Sequence, residues 1–257
     1  NNIIESNQNI SWCNYYTLTR NLFIFYLELF YIRLLNMKVL ELFSGTKSVG
    51  KVCDKLGWSS VSVDMILPAD HQEDIMNFDY KQYPKDTFDM IWASPPCQGY
   101  SNLQYIWIGR MKKDGLFTKE DLENNMNDAD KLVSKTLEII EYFDCKYWFL
   151  ENPQTGRLKN RDIMKGIPYY DVDYCRYSDW GYQKRTRIWT NKPNFNNKLC
   201  NRSGICGNMI DGTKKHKQGM APRKEQIAAG QVSVKGGGSN RLERYRIPED
   251  LIFSLLV

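Results

Sequence analysis

The stretch from Met37 to Asp64 limits the possible folds more than any other part of the chain. Met37-Lys-Val-Leu-Glu-Leu-Phe43 is a short, almost continuous apolar run with the signature of a strand buried on both faces, and Ser44-Gly45-Thr46 follows as a tight turn. Ser48 to Leu56 has helical spacing and is stopped by Gly57; a second apolar strand runs from Ser59 to Val63 and ends at Asp64. Strand, turn, helix and strand make a βαβ unit, and an acid about twenty residues beyond a glycine turn has the geometry of a nucleotide site. Further strands are predicted at Phe88–Ala93 and Lys146–Leu150, with a helix over Ala129–Phe143 between them. Tyr169–Tyr177 and Arg185–Thr190 are predicted as later strands, with Trp180-Gly181 turning between them. This alternation predicts an α/β fold with a mostly parallel, doubly wound sheet, whose ligands bind beyond the carboxyl ends of the strands. Phe43, Asp64, Cys97 and Glu151 all fall at or just past such ends, so four strand ends converge on one crevice.

Composition excludes several alternatives. With 42% hydrophobic and 25% charged residues in 257, the chain is neither disordered nor a disulfide scaffold. Its seven cysteines are scattered and odd in number, as expected in a reducing compartment. The apolar run from Leu22 to Leu35 is broken by Glu28 and Arg33 and falls short of the ~20 residues a bilayer needs, so a membrane partner is not expected. Residues 1–36 read as an upstream extension, with the working protein starting near Met37; the alternative is an amphipathic helix packed on the domain. Charge is unevenly placed. Gln183 to Arg246 carries fifteen Lys and Arg against three Asp and Glu, whereas the rest of the chain has twenty against twenty-seven. A basic, glycine-containing C-terminal third on an acidic body suggests a phosphate-backbone partner on one face. We therefore divide the chain into a catalytic and cofactor-binding domain (37–190), a small irregular basic recognition region (191–246) and a C-terminal helix returning to the catalytic domain (247–257).

A cysteine after two prolines at a strand end, held by restricted torsions and exposed at a crevice, suits a nucleophile. In order along the chain, Ser94-Pro95-Pro96-Cys97-Gln98-Gly99-Tyr100-Ser101, Glu151-Asn152-Pro153 and Gln183-Lys184-Arg185-Thr186-Arg187 resemble the three catalytic motifs of cytosine-5 DNA methyltransferases. Glu41-Leu-Phe43-Ser-Gly45 resembles that family's cofactor motif, and the likeness covers about residues 37–190. It implies a Rossmann-like S-adenosylmethionine-dependent methyltransferase fold and DNA methylation at carbon 5 of a cytosine flipped out of the duplex. Cys97 is then the nucleophile that adds to carbon 6, and Glu151 binds the ring nitrogen at position 3 and the exocyclic amine. Arg185 and Arg187 hold the cytosine carbonyl and the catalytic loop, while Asn152 and Gln183 orient. The implied methyl donor is S-adenosylmethionine, with Phe43 on the adenine, Ser44, Gly45 and Thr46 near the methionine portion, Asp64 on the ribose, Asp74 on the adenine amine, and Pro95 also on the cofactor side.

The segment from Gly99 to Asn127 is expected to close over the flipped base, with Gln98 or Ser101 filling the gap or touching the target phosphate and Arg110, Lys112 and Lys113 near the backbone. The turn Thr46-Lys47-Ser48-Val49-Gly50 departs from the glycine-richer turn common in the family. Cys200, Cys206 and His216 invite a zinc reading, but their spacing is irregular and a fourth ligand is missing, so no metal is expected. The implied partner is double-stranded DNA, met by a monomer wherever that DNA resides, and a cognate restriction endonuclease is compatible. Two alternatives remain at this point: an RNA cytosine methyltransferase of the transfer-RNA branch, and an inactive nucleic-acid-binding homologue.

Overall fold

The computed structural model describes residues 36–113, 115–219 and 245–257, with isolated positions at 20, 24, 228, 230, 232 and 233. Almost all of the expected upstream extension, and the glycine run at 236–238, lie outside the described residues. In chain order, β1 (Lys38–Leu42) leads into α1 (Ser48–Leu56), then β2 (Ser59–Val63) and β3 (Met90–Ala93). A short hairpin of β4 (Met111–Lys112) and β5 (Gly115–Leu116) precedes the long α2 (Lys119–Phe143). β6 (Tyr147–Pro153), β7 (Tyr169–Asp173) and β8 (Arg185–Thr190) complete the main sheet. The two-residue strands β9 (Gln218–Gly219) and β10 (Val232–Ser233) pair with each other, and α3 (Glu249–Leu256) follows.

The sheet order is β2-β1-β3-β6-β8-β7. The first four strands are parallel, and β8 runs antiparallel to both of its neighbours. From β1 the chain goes outward to β2 and returns on the other side to β3, so the order reverses between β1 and β3. A crevice opens beyond their carboxyl ends, where the turns at Phe43 and Ser94 leave the sheet.

Each face of the sheet is covered. Val39, Trp92, Phe149 and Ile188 pack with Val49 and Val52 of α1 and Leu251 and Leu255 of α3. On the other face Leu40, Leu42 and Ile91 meet Ile139 and Phe143 of α2, and Leu150 and Trp189 meet Leu122, Met126 and Val133. The centres of β1, β3 and β6 are apolar because both of their faces are buried, and the polar groups they carry, Glu41, Glu151 and Asn152, are buried with hydrogen-bond partners.

β3 starts two residues later than predicted and β6 runs three residues further, to Pro153, while two elements differ more. α2 starts ten residues before the predicted Ala129 because Thr118 and Asp121 form a reciprocal capping box, and Leu122 and Met126 extend the buried stripe through polar surroundings. β7 stops at Asp173, short of the predicted Tyr177, because its partner β8 starts at Arg185, opposite Asp173. The chain then turns through a short 3-10 helix, Tyr174–Arg176.

Candidate active site

The turn after β1 is built from left-handed residues, with φ of 56° at Phe43, 52° at Gly45 and 53° at Lys47. For the two non-glycine residues this conformation costs about 1–2 kcal/mol each, a pattern that concentrates at functional turns. Asp64, at the end of β2, holds the turn in place. Its Oδ2 accepts the Gly45 N–H at 2.8 Å, and its Oδ1 accepts those of Ile66 and Leu67 at 2.9 and 2.7 Å. Behind the turn the buried Glu41 accepts the Val49 and Gly50 N–H groups in the first helical turn of α1, and burial pushes its carboxyl up to about 7 against those donors. Ser44 Oγ is buried without a hydrogen-bond partner. Asp74 caps its own loop by accepting the Met76 N–H at 3.0 Å. A cavity of about 800 Å3 opens beside Thr46 and Ser48, with Tyr177, Trp180 and Ile247 among its other walls.

The cysteine turn leaves β3 next door. Asn152 is fully buried, and its Nδ2 donates to the Pro95 carbonyl at 2.9 Å, tying the end of β6 to the double proline. Gln104 is also buried; its Nε2 donates to the Gln98 and Gly99 carbonyls at 2.7 and 2.9 Å, and its Oε1 accepts from Asn125 of α2 at 2.7 Å. Tyr100 donates to Asp130 at 2.8 Å, a second tie to α2. Gly99 sits against that helix so closely that an added Cβ would lie 2.6 Å from the Ala129 Cβ and 2.7 Å from the Asn125 carbonyl oxygen. Gly99→Ala is therefore expected to push the Cys97 turn off α2, destabilising the protein by about 1–3 kcal/mol. Urea unfolding checks the stability, and turnover at a temperature where the variant is still folded checks the displaced cysteine.

Glu151 lies on the far side of the crevice, buried at the end of β6. Its Oε1 accepts from the Tyr174 hydroxyl at 2.8 Å and lies 3.4 Å from Lys184 Nζ. Tyr174 is fully buried, and burial together with the Glu151 charge holds its hydroxyl well above the ordinary tyrosine range, so it stays a donor. Cys97 is half-buried; burial raises its thiol pKa, the Lys184 ammonium draws it down, and the Glu151 carboxylate raises it again. Cys97, Glu151 and Lys184 thus form one electrostatic unit.

A thiol raised in this way is scarcely ionised at neutral pH, so any rate limited by thiolate must climb as pH rises through and beyond the usual cysteine range. Lys184→Gln removes the opposing charge. It is expected to move the rising limb of kcat/KM to higher pH and to lower the rate at pH 7 by roughly tenfold, a loss that shrinks in alkaline buffer. A uniform loss at every pH would count against this role.

The two arginines predicted for the substrate carbonyl and the catalytic loop make their ion pairs with β7. Arg185 forks onto the fully buried Asp173, with Nε and Nη2 at 3.0 and 2.6 Å from its two oxygens, and Arg187 forks onto Asp171 at 2.7 and 2.9 Å. Register explains their placement. Arg187 stands opposite Asn152 and Ile188 opposite Glu151, so both arginines share the Asn152 face while Glu151 points to the other. The side chain this segment brings to Glu151 is Lys184. Gln183 makes a long 3.4 Å contact to Asp173. Gln98 is exposed, and Ser101 Oγ accepts the Leu103 N–H at 3.3 Å, starting a 3-10 helix over Asn102–Trp107. Arg110, Lys112 and Lys113 are exposed, with Lys112 over the Trp107 ring at 3.8 Å from its centroid. Tyr174, Lys184 and Gln104 are site residues that sequence reasoning did not single out. Lys184 lay inside a quoted motif, but nothing in the sequence marked the other two.

The family model for C-5 cytosine-specific DNA methylases matches residues 64–167, a span that holds Asp64, Asp74, Cys97 and Glu151. A probable DNA (cytosine-5)-methyltransferase of Frog virus 3 (isolate Goorha) is 40% identical over 223 residues, which is 86% of this chain and 99% of the viral one. This chain belongs to the C-5 cytosine-specific DNA methylase family. The solved structure of Entamoeba histolytica methyltransferase EhMeth matches with a TM-score of 0.51 at 14% identity, covering 86% of this chain and 97% of that one, and it supports the methyltransferase fold. No helix among the described residues of this family member is long and apolar enough to cross a membrane.

Proposed function

We propose that the chain is a DNA (cytosine-5)-methyltransferase that works through a covalent cysteine adduct. One observation carries the reading: in a member of this family, Cys97 sits on a turn fixed by Asn152 and Gln104, with Glu151 and Lys184 as its charged neighbours. Carbon 5 of cytosine is too weak a nucleophile to take a methyl group unaided. The Cys97 thiolate bonds to carbon 6, and the electrons of the 5,6 double bond move to carbon 5, which becomes enamine-like. Glu151 Oε1 is engaged by Tyr174 and Lys184, which leaves Oε2 for the edge of the base. There it takes the position-3 nitrogen and exocyclic amine and offsets the charge that develops on addition. Once carbon 5 is methylated its proton leaves to a base, the 5,6 double bond re-forms and Cys97 is expelled. Asn152, Gln104 and Gln183 position this machinery. Arg185 and Arg187 brace β7 against β8 behind it through their forked pairs with Asp173 and Asp171.

The residues after β1 and β2 fit the methyl donor, S-adenosylmethionine. The buried Ser44 Oγ lacks a partner, the left-handed turn at Phe43 and Gly45 holds the backbone at the crevice, and Asp64 puts a carboxylate at the end of β2. Phe43 supplies a ring for the adenine, Ser44, Gly45 and Thr46 line the methionine end, Asp64 and Asp74 take the ribose and adenine amine, and Pro95 borders the site. The donor supplies an electrophilic methyl group. Extrusion of the target base costs a few kcal/mol, offset by contacts in the pocket and to the loop that carries Gln98 and Ser101. Residues 191–246, with their excess of Lys and Arg, form the recognition region on the phosphate backbone beside the catalytic domain at 37–190.

The RNA reading and the inactive-homologue reading are not favoured, since both the matching family and the viral relative are named for DNA cytosine-5 methylation. Bisulfite sequencing of unmethylated duplex DNA after incubation with the protein and S-adenosylmethionine, with an RNA pool alongside, tests the proposal. Protected cytosines are expected in DNA at a fixed short sequence. Protection confined to RNA, or none in either despite cofactor binding, would overturn it.

A further inference from the structure

The fold gathers three cysteines and a histidine away from Cys97. Cys175 lies in the 3-10 turn after β7, whereas Cys200, Cys206 and His216 come from the recognition region. The three sulfurs and one histidine nitrogen all lie within 4.8 Å of one another. His216 Nε2 is 3.5 Å from the Cys200 sulfur and 3.6 Å from the Cys206 sulfur. Tetrahedral zinc, with Zn–S of about 2.3 Å and Zn–N of about 2.0–2.1 Å, sets sulfur-to-nitrogen edges at about 3.6 Å. The expectation of no metal rests on irregular spacing and a missing fourth ligand, and the turn after β7 supplies that ligand as Cys175.

We propose that Cys175, Cys200, Cys206 and His216 form a structural zinc site that fastens the recognition region to the catalytic sheet. Three thiolates and an imidazole in tetrahedral reach select zinc over the harder oxygen-seeking cations. With all four positions filled by protein, the site has no place for a reacting water and is structural.

The surroundings support the ligands. The Asn208 amide nitrogen donates to the carbonyls of Cys175 and Cys206 at 3.0 and 3.1 Å, and the Cys200 N–H donates to Asp173 at 2.7 Å. Such contacts fix the backbone that carries first-sphere ligands. Cys175, Cys200 and His216 are buried, while Cys206 is half-buried and lines, with Cys175, the cavity of about 800 Å3, which gives an ion a route in.

The need for a staple is legible too. Between Asn191 and Gly219 only Cys200, Met209, Asn208 and His216 are buried, too little apolar surface to hold a segment of that length by packing alone. The staple falls one residue from Tyr174, the partner of Glu151, so order in the recognition region and order at the catalytic carboxylate share one anchor.

The test is metal analysis of the full chain, purified under reducing conditions without chelator and again after reconstitution with zinc or cobalt(II). About one zinc per chain is expected, along with an intense sulfur-to-metal charge-transfer band in the cobalt form. Cys206→Ser and His216→Ala should each lower bound zinc at least tenfold at fixed free metal, His216→Cys should restore it, and Cys53→Ser should leave it unchanged. Three results would overturn the proposal: folded protein that binds neither metal, full zinc content in Cys206→Ser, or a disulfide joining two of these cysteines in the reduced preparation. The cobalt spectrum reads thiolate ligation in the unaltered chain, so the proposal stays testable if the variants fail to fold.

Discussion

Cys97→Ala is expected to abolish methyl transfer, with a fall in kcat on the order of 10^4-fold or more, while S-adenosylmethionine still binds. The two effects separate because different elements carry them. The cofactor turn follows β1 and is fixed by Asp64, whereas Cys97 follows β3 and is fixed from Asn152 and Gln104. Alanine removes the sulfur without disturbing either set of hydrogen bonds, since no hydrogen bond that fixes the turn uses the thiol. Single-turnover transfer of labelled methyl groups reads the first effect and equilibrium dialysis the second. Retained turnover in this variant would sink the covalent mechanism.

Glu151→Gln carries the second large effect. Glutamine keeps an oxygen for the Tyr174 hydroxyl and nearly the same volume, so the fold should hold, yet the carboxyl that meets the base and balances Lys184 is gone. A fall in kcat of roughly 10^2–10^4-fold is expected, the usual range for a group that moves or stabilises a proton in the transition state, with a much smaller change in KM. Glu151→Ala serves as a contrast. It leaves the buried Tyr174 hydroxyl without its acceptor and should cost about 1–3 kcal/mol in unfolding experiments as well. If the glutamine variant changed KM alone, Glu151 would act in binding and not in the addition step.

Much of this architecture can be read from the sequence because it is local. The apolar run of β1, Gly57 as the stop of α1, and the placement of Cys97 and Glu151 at strand ends depend on neighbours a few residues apart. The rest depends on register. Tyr174 reaches Glu151 across 23 residues of chain because β8 lies between β6 and β7 and pairs with both. The same antiparallel pairing turns Arg185 and Arg187 toward Asp173 and Asp171 and brings Lys184 to Glu151, an exchange of faces that follows from a strand's two-residue period once the partner is known. The first ten residues of α2 carry little helical signal in the sequence because they are mostly polar and only Leu122 and Met126 among them are buried. Nothing in the sequence groups Cys175 with Cys200, Cys206 and His216, because it lies in the turn after β7 and meets them only through the fold.

The central claim is that a covalent bond forms between Cys97 and the target base. The most direct measurement is to incubate the protein and S-adenosylmethionine with duplex DNA carrying 5-fluorocytosine at the methylated position, where fluorine blocks the final loss of the carbon-5 proton. Denaturation, digestion and mass spectrometry then locate the cross-link. We predict a stable adduct on the peptide containing Cys97, dependent on the cofactor and missing in Cys97→Ala. Methylation of ordinary DNA without any such adduct, or an adduct on a different cysteine, would contradict it.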